Sequence, residues 1–205
     1  MKLRSILWLT ATVLAGCASG PPPAPLFADS SAALTNPPAD MAQIVFLDPI
    51  NAIQGMFPTG LYEVHGTERT LLTELASHTK SVQLVTPGHH VFASNPGGGT
   101  AHILEADVAA GKRYYVLMRF IYAQGMQLRP IRPTGPSEFS VANKDFAEWV
   151  SITHYVDKTP AADEHDKKFA KGFADAQADG LATWQKKTPA QRAELTLNVD
   201  DAIAQ

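Results

Sequence analysis

The sequence predicts a mainly β (α+β) fold: an antiparallel β-sandwich of about seven or eight strands with a C-terminal helical appendage. Three observations predict it. Between residues 41 and 136, short apolar runs of strand length alternate with turn residues, at the spacing of sandwiches and open barrels. After Pro136 the character shifts, and from Thr159 to Trp184 apolar residues recur three and four apart, which is a helical period. The chain has 205 residues, 45% of them hydrophobic and 18% charged, enough for one domain with a real core. Its formal net charge of -3 provides no basic field for nucleic acid. A single cysteine excludes an internal disulfide and a thiolate cluster for structural zinc or iron–sulfur.

The N-terminus comes first. Lys2 and Arg4 form a positive region, Ile6 to Leu14 an apolar core, and small residues follow, the layout of a secretory signal. A core of nine residues cannot span a bilayer, which takes about 20 apolar ones. The ending Leu14-Ala15-Gly16-Cys17 resembles the lipobox of bacterial lipoproteins. That resemblance implies removal of residues 1–16, a diacylglyceryl group on the Cys17 thiol, and a further acyl chain such as palmitate on the new amino terminus. Each buried methylene contributes about 0.8 kcal/mol, so two or more chains anchor stably. Ala18 and Ser19 stand where an aspartate would resemble an inner-membrane retention mark, so the resemblance points to the outer membrane, facing the periplasm.

Residues 17–40 read as the lipidated cysteine and a tether: the stretch 18–40 contains six prolines and no helical or strand period. In polyproline geometry it reaches roughly 70 Å, and less if Leu26 and Phe27 dock on the domain.

The domain, residues 41–136, follows element by element. "AQIVFLDP" is a strand stopped by Asp48-Pro49, "GLYEVHG" alternates up to Gly66, and "RTLLTELA" alternates again. "SVQLVTPGHHVFAS" reads as two strands around Pro87-Gly88, and "NPGGGTA" as a loop. "HILEADV" and "KRYYVLMRFIYA" read as strands joined by a hairpin turn at Ala109–Gly111, followed by "MQLRPIRP". Tyr114 and Tyr115 face opposite sides of their strand, one ring in the core and one as a surface contact.

The extension, residues 137–205, reads as helical. "NKDFAEWVSI" is a short helix with Phe146, Trp149 and Val150 on one side. A longer helix starts where Thr159 caps, Pro160 suits the first turn, and Asp163 and Glu164 favour the positive end of the dipole. Its stripe of Phe169, Phe173, Ala176, Gly180 and Trp184 is expected to dock on the sheet. "TPAQRAEL" starts a last helix, with Thr188 and Gln191 as a capping box around Pro189.

The run from "AQIVFLDP" through "LVTPGHHVF" to "AAGKRYYVLMRF" resembles a group of small bacterial lipoproteins with a β-sandwich domain of unknown function. The motifs that carry it are the first strand, the Pro-Gly turn and a Gly-Lys-x-Tyr-Tyr segment, over residues 41 to 120. The resemblance lends no catalytic residue and does not cover the helical tail.

Candidate chemistry is sparse. Ser77-His78-Thr79-Lys80 fits the S-x-x-K pattern of serine enzymes that recognise penicillin, which needs the serine at a helix N-terminus. Here it lies between strands, and its companion motifs are missing, since Lys158-Thr159-Pro160 has proline in place of glycine. A turn is the simpler reading. Among the seven histidines, His89 and His90 are adjacent on a strand and point to opposite faces, so they cannot share an ion. His90 or His89 with His102 and Glu105 or Glu63 is the candidate metal set, lacking both a thiolate and the H-E-x-x-H register. Glu105 and Asp107 share a strand face, where carboxylates can do acid–base work or simply meet solvent.

These observations lead to a non-catalytic binding or adaptor module, lipid-anchored at Cys17 in the bacterial envelope, with no cofactor and with a possible envelope protein partner. Two alternatives remain open: an envelope hydrolase or metal-dependent enzyme, and a structural spacer between membrane and cell wall.

Overall fold

The computed structural model describes residues 23–31, 34–51, 58–96, 99–135 and 138–204. The signal segment 1–16 and the lipidation site Cys17 lie outside the described residues. Eleven strands and four helices are present among those described: β1 (Phe27–Asp29), β2 (Ala42–Asp48), β3 (Thr59–His65), β4 (Glu68–Leu75), β5 (Thr79–Val85), β6 (Gly88–Asn95), β7 (His102–Val108), β8 (Arg113–Ile121), β9 (Gly125–Pro130), α1 (Phe146–Ile152), β10 (His154–Lys158), α2 (Pro160–Lys168), α3 (Ala170–Lys186), α4 (Pro189–Glu194) and β11 (Thr196–Leu197). One sheet has the order β1-β10-β5-β2-β8-β9, the other β11-β7-β6-β3-β4.

Both sheets are mixed, which corrects the antiparallel expectation. β2 runs parallel to β8, β10 to β5, and β11 to β7. A parallel neighbour needs a long crossover, and the chain between β2 and β8 forms β3, β4, β6 and β7 of the other sheet together with β5, which pairs with β2 on its opposite edge. Tight turns predict only the hairpins that they close. The turn at Ala109–Gly111 is not a hairpin turn, because β7 and β8 belong to different sheets. Gly111, at φ 67°, instead donates its N–H to the Met41 carbonyl at 2.8 Å and so carries the chain from one sheet to the other. The strand count also rises, since β1 forms within the expected tether and β10 and β11 within the expected helical tail.

All seven residues of β2 are buried. Alternate side chains explain why. Ala42, Ile44 and Phe46 face the core shared by the two sheets, with Tyr114, Val116 and Met118 of β8 beside them and Phe92, Leu61 and Leu104 opposite. The Phe46 and Phe92 rings meet edge to face, 5.3 Å apart. Val45 and Leu47 face outward, where Tyr115, Leu117, Ile131 and Phe139 join them under Phe146, Trp149 and Val150 of α1. Neither tyrosine is the expected surface contact: Tyr114 lies in the shared core and Tyr115 is buried on the other face, with its ring edge-on to Phe146 at 5.4 Å. Buried side chains of this size each contribute about 1.5–3 kcal/mol.

The second sheet is covered on its outer face by the C-terminal helices. Phe173 and Ala162 pack on Tyr62 and Leu71, while Trp184 and Leu195 pack on Val64, Ala93 and Ile103. The expected single helix is two, broken at Phe169 with φ -107° and ψ 17°. The expected stripe docks except for Phe169, which is exposed. Thr159 sits at the N-cap of α2, but its hydroxyl donates to the Pro25 carbonyl at 2.6 Å and ties the tether down. The capping box of Thr188 and Gln191 forms as expected.

Helix α3 comes very close to the strand layer. Ala101 N–H donates to the Ala176 carbonyl at 3.1 Å, and a Cβ at position 180 would collide with the Ala101 carbonyl oxygen. Gly180→Ala should therefore destabilise the protein by about 1–3 kcal/mol through overpacking, outweighing the roughly 1 kcal/mol gained in helix propensity. Gly172→Ala, at an exposed position of the same helix, should stabilise by up to about 1 kcal/mol. Urea unfolding of both variants checks the pair, and a stabilised Gly180→Ala would contradict the close approach.

Candidate functional site

Of the candidate metal set, only His90 and Glu63 are brought together, and His102 and Glu105 lie apart from them. On β6 and β7 the shared core takes Phe92 and Leu104, so His90 and His102 lie on that side, and Glu105 lies on the other with Ile103. His90 stands opposite Ala106 and His102 opposite Ser94, four residues apart along the ladder, roughly 13 Å. Each has its own partner. His90 Nδ1 is 2.6 Å from Glu63 Oε1 and its Nε2 is 2.8 Å from the Thr86 carbonyl, while Glu105 accepts the Trp184 indole N–H at 2.8 Å. Asp107 pairs with His89 at 2.9 Å. Among the described residues no group of three histidine, cysteine or acidic side chains could hold a metal ion.

Ser77 and Lys80 also diverge. The serine hydroxyl donates to the Ile50 carbonyl at 2.6 Å and the lysine to the Val150 carbonyl at 2.7 Å, so the two side chains anchor a turn and α1 respectively.

Two buried carboxyls have shifted acidity. Burial pushes Asp48 up to about 7, against a smaller opposing pull from the Ile50 N–H, and its Oδ2 has no hydrogen-bond partner. Burial, with the Asp166 charge second, pushes Glu74 up to about 7. Glu74 belongs to a polar cluster beneath α2. Tyr62 Oη and Arg69 Nη2 both donate to Asp166 Oδ1 at 3.0 Å, and the Arg69 guanidinium lies over the Tyr62 and Phe173 rings. Burial first, then the Asp166 and Glu74 charges, drives the Tyr62 phenol far above its ordinary range. These groups lie under a helix, and their geometry joins α2 to β3 and β4.

A cleft forms elsewhere, where five segments meet. Gly99–Ala101, the start of β7, the turn between β8 and β9, the last turns of α3 through Lys187, and Leu195 enclose a cavity of about 390 Å³. That volume falls in the range of small-molecule sites. The close passage at Gly180 brings α3 to the lip of the cleft, and the turn opposite holds Ala123 at φ 60° and Gly125 at φ 98°. A left-handed alanine costs about 1–3 kcal/mol and persists where its surroundings hold it. His102 Nε2 is 2.7 Å from the Gln124 carbonyl. A carbonyl only accepts, so Nε2 carries the proton and the neutral ring leaves Nδ1 as an acceptor. Burial, then the Lys187 and Arg119 charges, pulls the His102 pKa below the ordinary imidazole value, outweighing the Gln124 bond.

The sequence reading singled out His102 but missed the cleft. Its lining is largely small residues from distant segments, and the one local signal was the glycine-rich stretch before His102.

No protein-family model matches the sequence, and no curated protein is significantly similar to it. No helix among the described residues is long and apolar enough to cross a membrane.

The two raised carboxyls dictate how stability depends on pH. The folded state keeps protons on these two groups that the unfolded chain releases in the ordinary carboxyl range, so their contribution to stability falls as pH rises from about 4 to about 7 and levels off above, opposed in part by His102. Asp48→Asn and Glu74→Gln should each flatten that slope and raise stability at pH 8 by on the order of 2 kcal/mol. Unfolding midpoints across pH 4–8 check this, and unchanged slopes in both variants would contradict it.

Proposed function

We propose that this chain is a lipid-anchored, periplasm-facing β-sandwich module of a bacterial cell envelope that binds its ligand without catalysis in the cleft between α3 and the β8–β9 turn. The cleft carries this reading. It combines an apolar floor with a few converging polar groups, the usual make-up of a ligand site. The lipobox-like ending at Cys17 supports the anchor, and Ala18 and Ser19 in place of a retention aspartate favour the outer membrane.

The way the tether docks supports a module held near the lipid rather than a long spacer. Leu26 and Phe27 pack on the domain, β1 pairs with β10, and Arg113 and Gln43 donate to the Thr35 carbonyl. Only the chain from Cys17 to Pro25 is then left to span the gap, at most roughly 30 Å. The domain sits close to the membrane with its cleft open to the periplasm.

Cys17→Ser should abolish fatty-acid labelling and move the protein out of the membrane fraction, and unchanged labelling would overturn the anchor. Native mass spectrometry of protein extracted from the envelope in mild detergent tests the cleft. The wild type should retain a bound small molecule and Thr183→Trp, which fills the cleft from an exposed position, should lose it. Equal retention by both would overturn the site.

A further inference from the structure

The cleft has a chemical character that narrows its ligand. Its floor is apolar, formed by the buried Ala101, Ile103, Trp184 and Leu195, and the indole N–H is already committed to Glu105. Its lining also includes neutral hydrogen-bonding residues: Thr100, Thr183, Gln124 and neutral His102, whose Nε2 is committed to the Gln124 carbonyl. Lys187 is the single lining side chain with a full charge, and no carboxylate lines the cavity. Among the described residues, its ammonium makes no ion pair or hydrogen bond. Arg119, outside the lining and paired with Glu138 at 3.8 Å, also acts on His102.

An exposed aromatic residue stands next to the cleft lining in sequence. Tyr122, next to the lining residue Ala123, is 88% exposed, and Phe120 is 38% exposed. The left-handed Ala123 fixes the turn that presents the tyrosine. Such a ring offers a flat face for apolar contact and a polar edge.

We propose that the cleft takes a saccharide ring carrying one carboxylate. This rests on reading the cleft as the ligand site. The apolar face of the ring packs on the floor and against Tyr122, its hydroxyls exchange hydrogen bonds with Thr100, Thr183, Gln124 and His102 Nδ1, and its carboxylate accepts from the Lys187 ammonium. A wholly apolar ligand would leave the wall hydroxyls and Nδ1 without partners on desolvation. A phosphate, with close to two negative charges, would meet only one lysine and a neutral imidazole. A neutral sugar would leave the lysine unmatched.

The test uses the full-length protein in detergent and two sugars that differ by a lactyl carboxylate, N-acetylmuramic acid and N-acetylglucosamine, with inorganic phosphate as a third probe. Calorimetry gives affinity, and the His102 imidazole NMR signals report the site. The acid should bind at least about tenfold more tightly than the neutral sugar, shift the His102 signals, and raise the pH at which His102 protonates by offsetting the two cations. Lys187→Gln should remove the preference for the acid. Tyr122→Ala should weaken both sugars by about tenfold and leave thermal unfolding unchanged, since its ring is exposed.

Equal affinity for the two sugars, or a preference that survives Lys187→Gln, would overturn the proposal. Binding of phosphate alone would overturn it too, while leaving the cleft as a ligand site. Silence of His102 toward all three probes would overturn the saccharide assignment, and the envelope-retention experiment with Thr183→Trp then decides separately whether the cleft binds anything.

Discussion

The burial of β2 on both faces is the constraint on which the rest of the structure depends. A strand with every residue inside needs a cover on each side, because alternate residues leave in opposite directions. One cover is the second sheet, through the core that Phe46 and Phe92 share. The other is α1 with Ile131, Phe139 and Val141, and these come from the part of the chain after β9. The second sheet has the same need on its outer face, which α2, α3 and Leu195 after α4 meet. Residues after 137 thus supply cover for both sheets as well as a strand to each. Arg132 fastens this layer, donating to the Thr196 and Ala193 carbonyls and pairing with Asp201. Ile203 N–H then bonds to the Arg113 carbonyl at the start of β8.

The cleft is a by-product of that covering. Because α3 lies directly on the strand layer at Gly180, its following turns overhang the start of β7 and face the turn between β8 and β9. The carboxyl clusters took a different course. Glu74, Asp166 and Arg69 lie where a helix closes over the sheet, so their altered acidity belongs to the docking of α2, and the more open cleft keeps the neutral imidazole and the lysine.

How far this was legible in the sequence differs by element. The eight strands from β2 to β9 were legible because each is a local apolar run bounded by Gly, Pro, Asp or Asn. The capping box of α4 was legible because its chemistry spans four residues. β1, β10 and β11 were not, since a strand of two to five residues has no period of its own and forms only because a partner edge is present. Parallel pairing of β2 with β8 carries no local signal, and neither did the division of β7 and β8 between two sheets. At the candidate site, His102 could be named from its residue type. Its partnership with Gln124, the overhang of Lys187 and the close approach at Gly180 arise only from tertiary packing. Glu105 and His90 shared a plausible ligand set in sequence, and the strand alternation that separates them was present there without a sheet to apply it to.

The central claim is that residues 138–204 form one cooperative unit with the two sheets. Native-state hydrogen exchange on the intact protein tests it most directly, because amides that open only in global unfolding share one free energy. The account predicts that amides of β10 and α3 exchange within about 1 kcal/mol of those in β2 and β8. Exchange of the C-terminal segment at a free energy several kcal/mol lower, with β2 and β8 still fully protected, would contradict it.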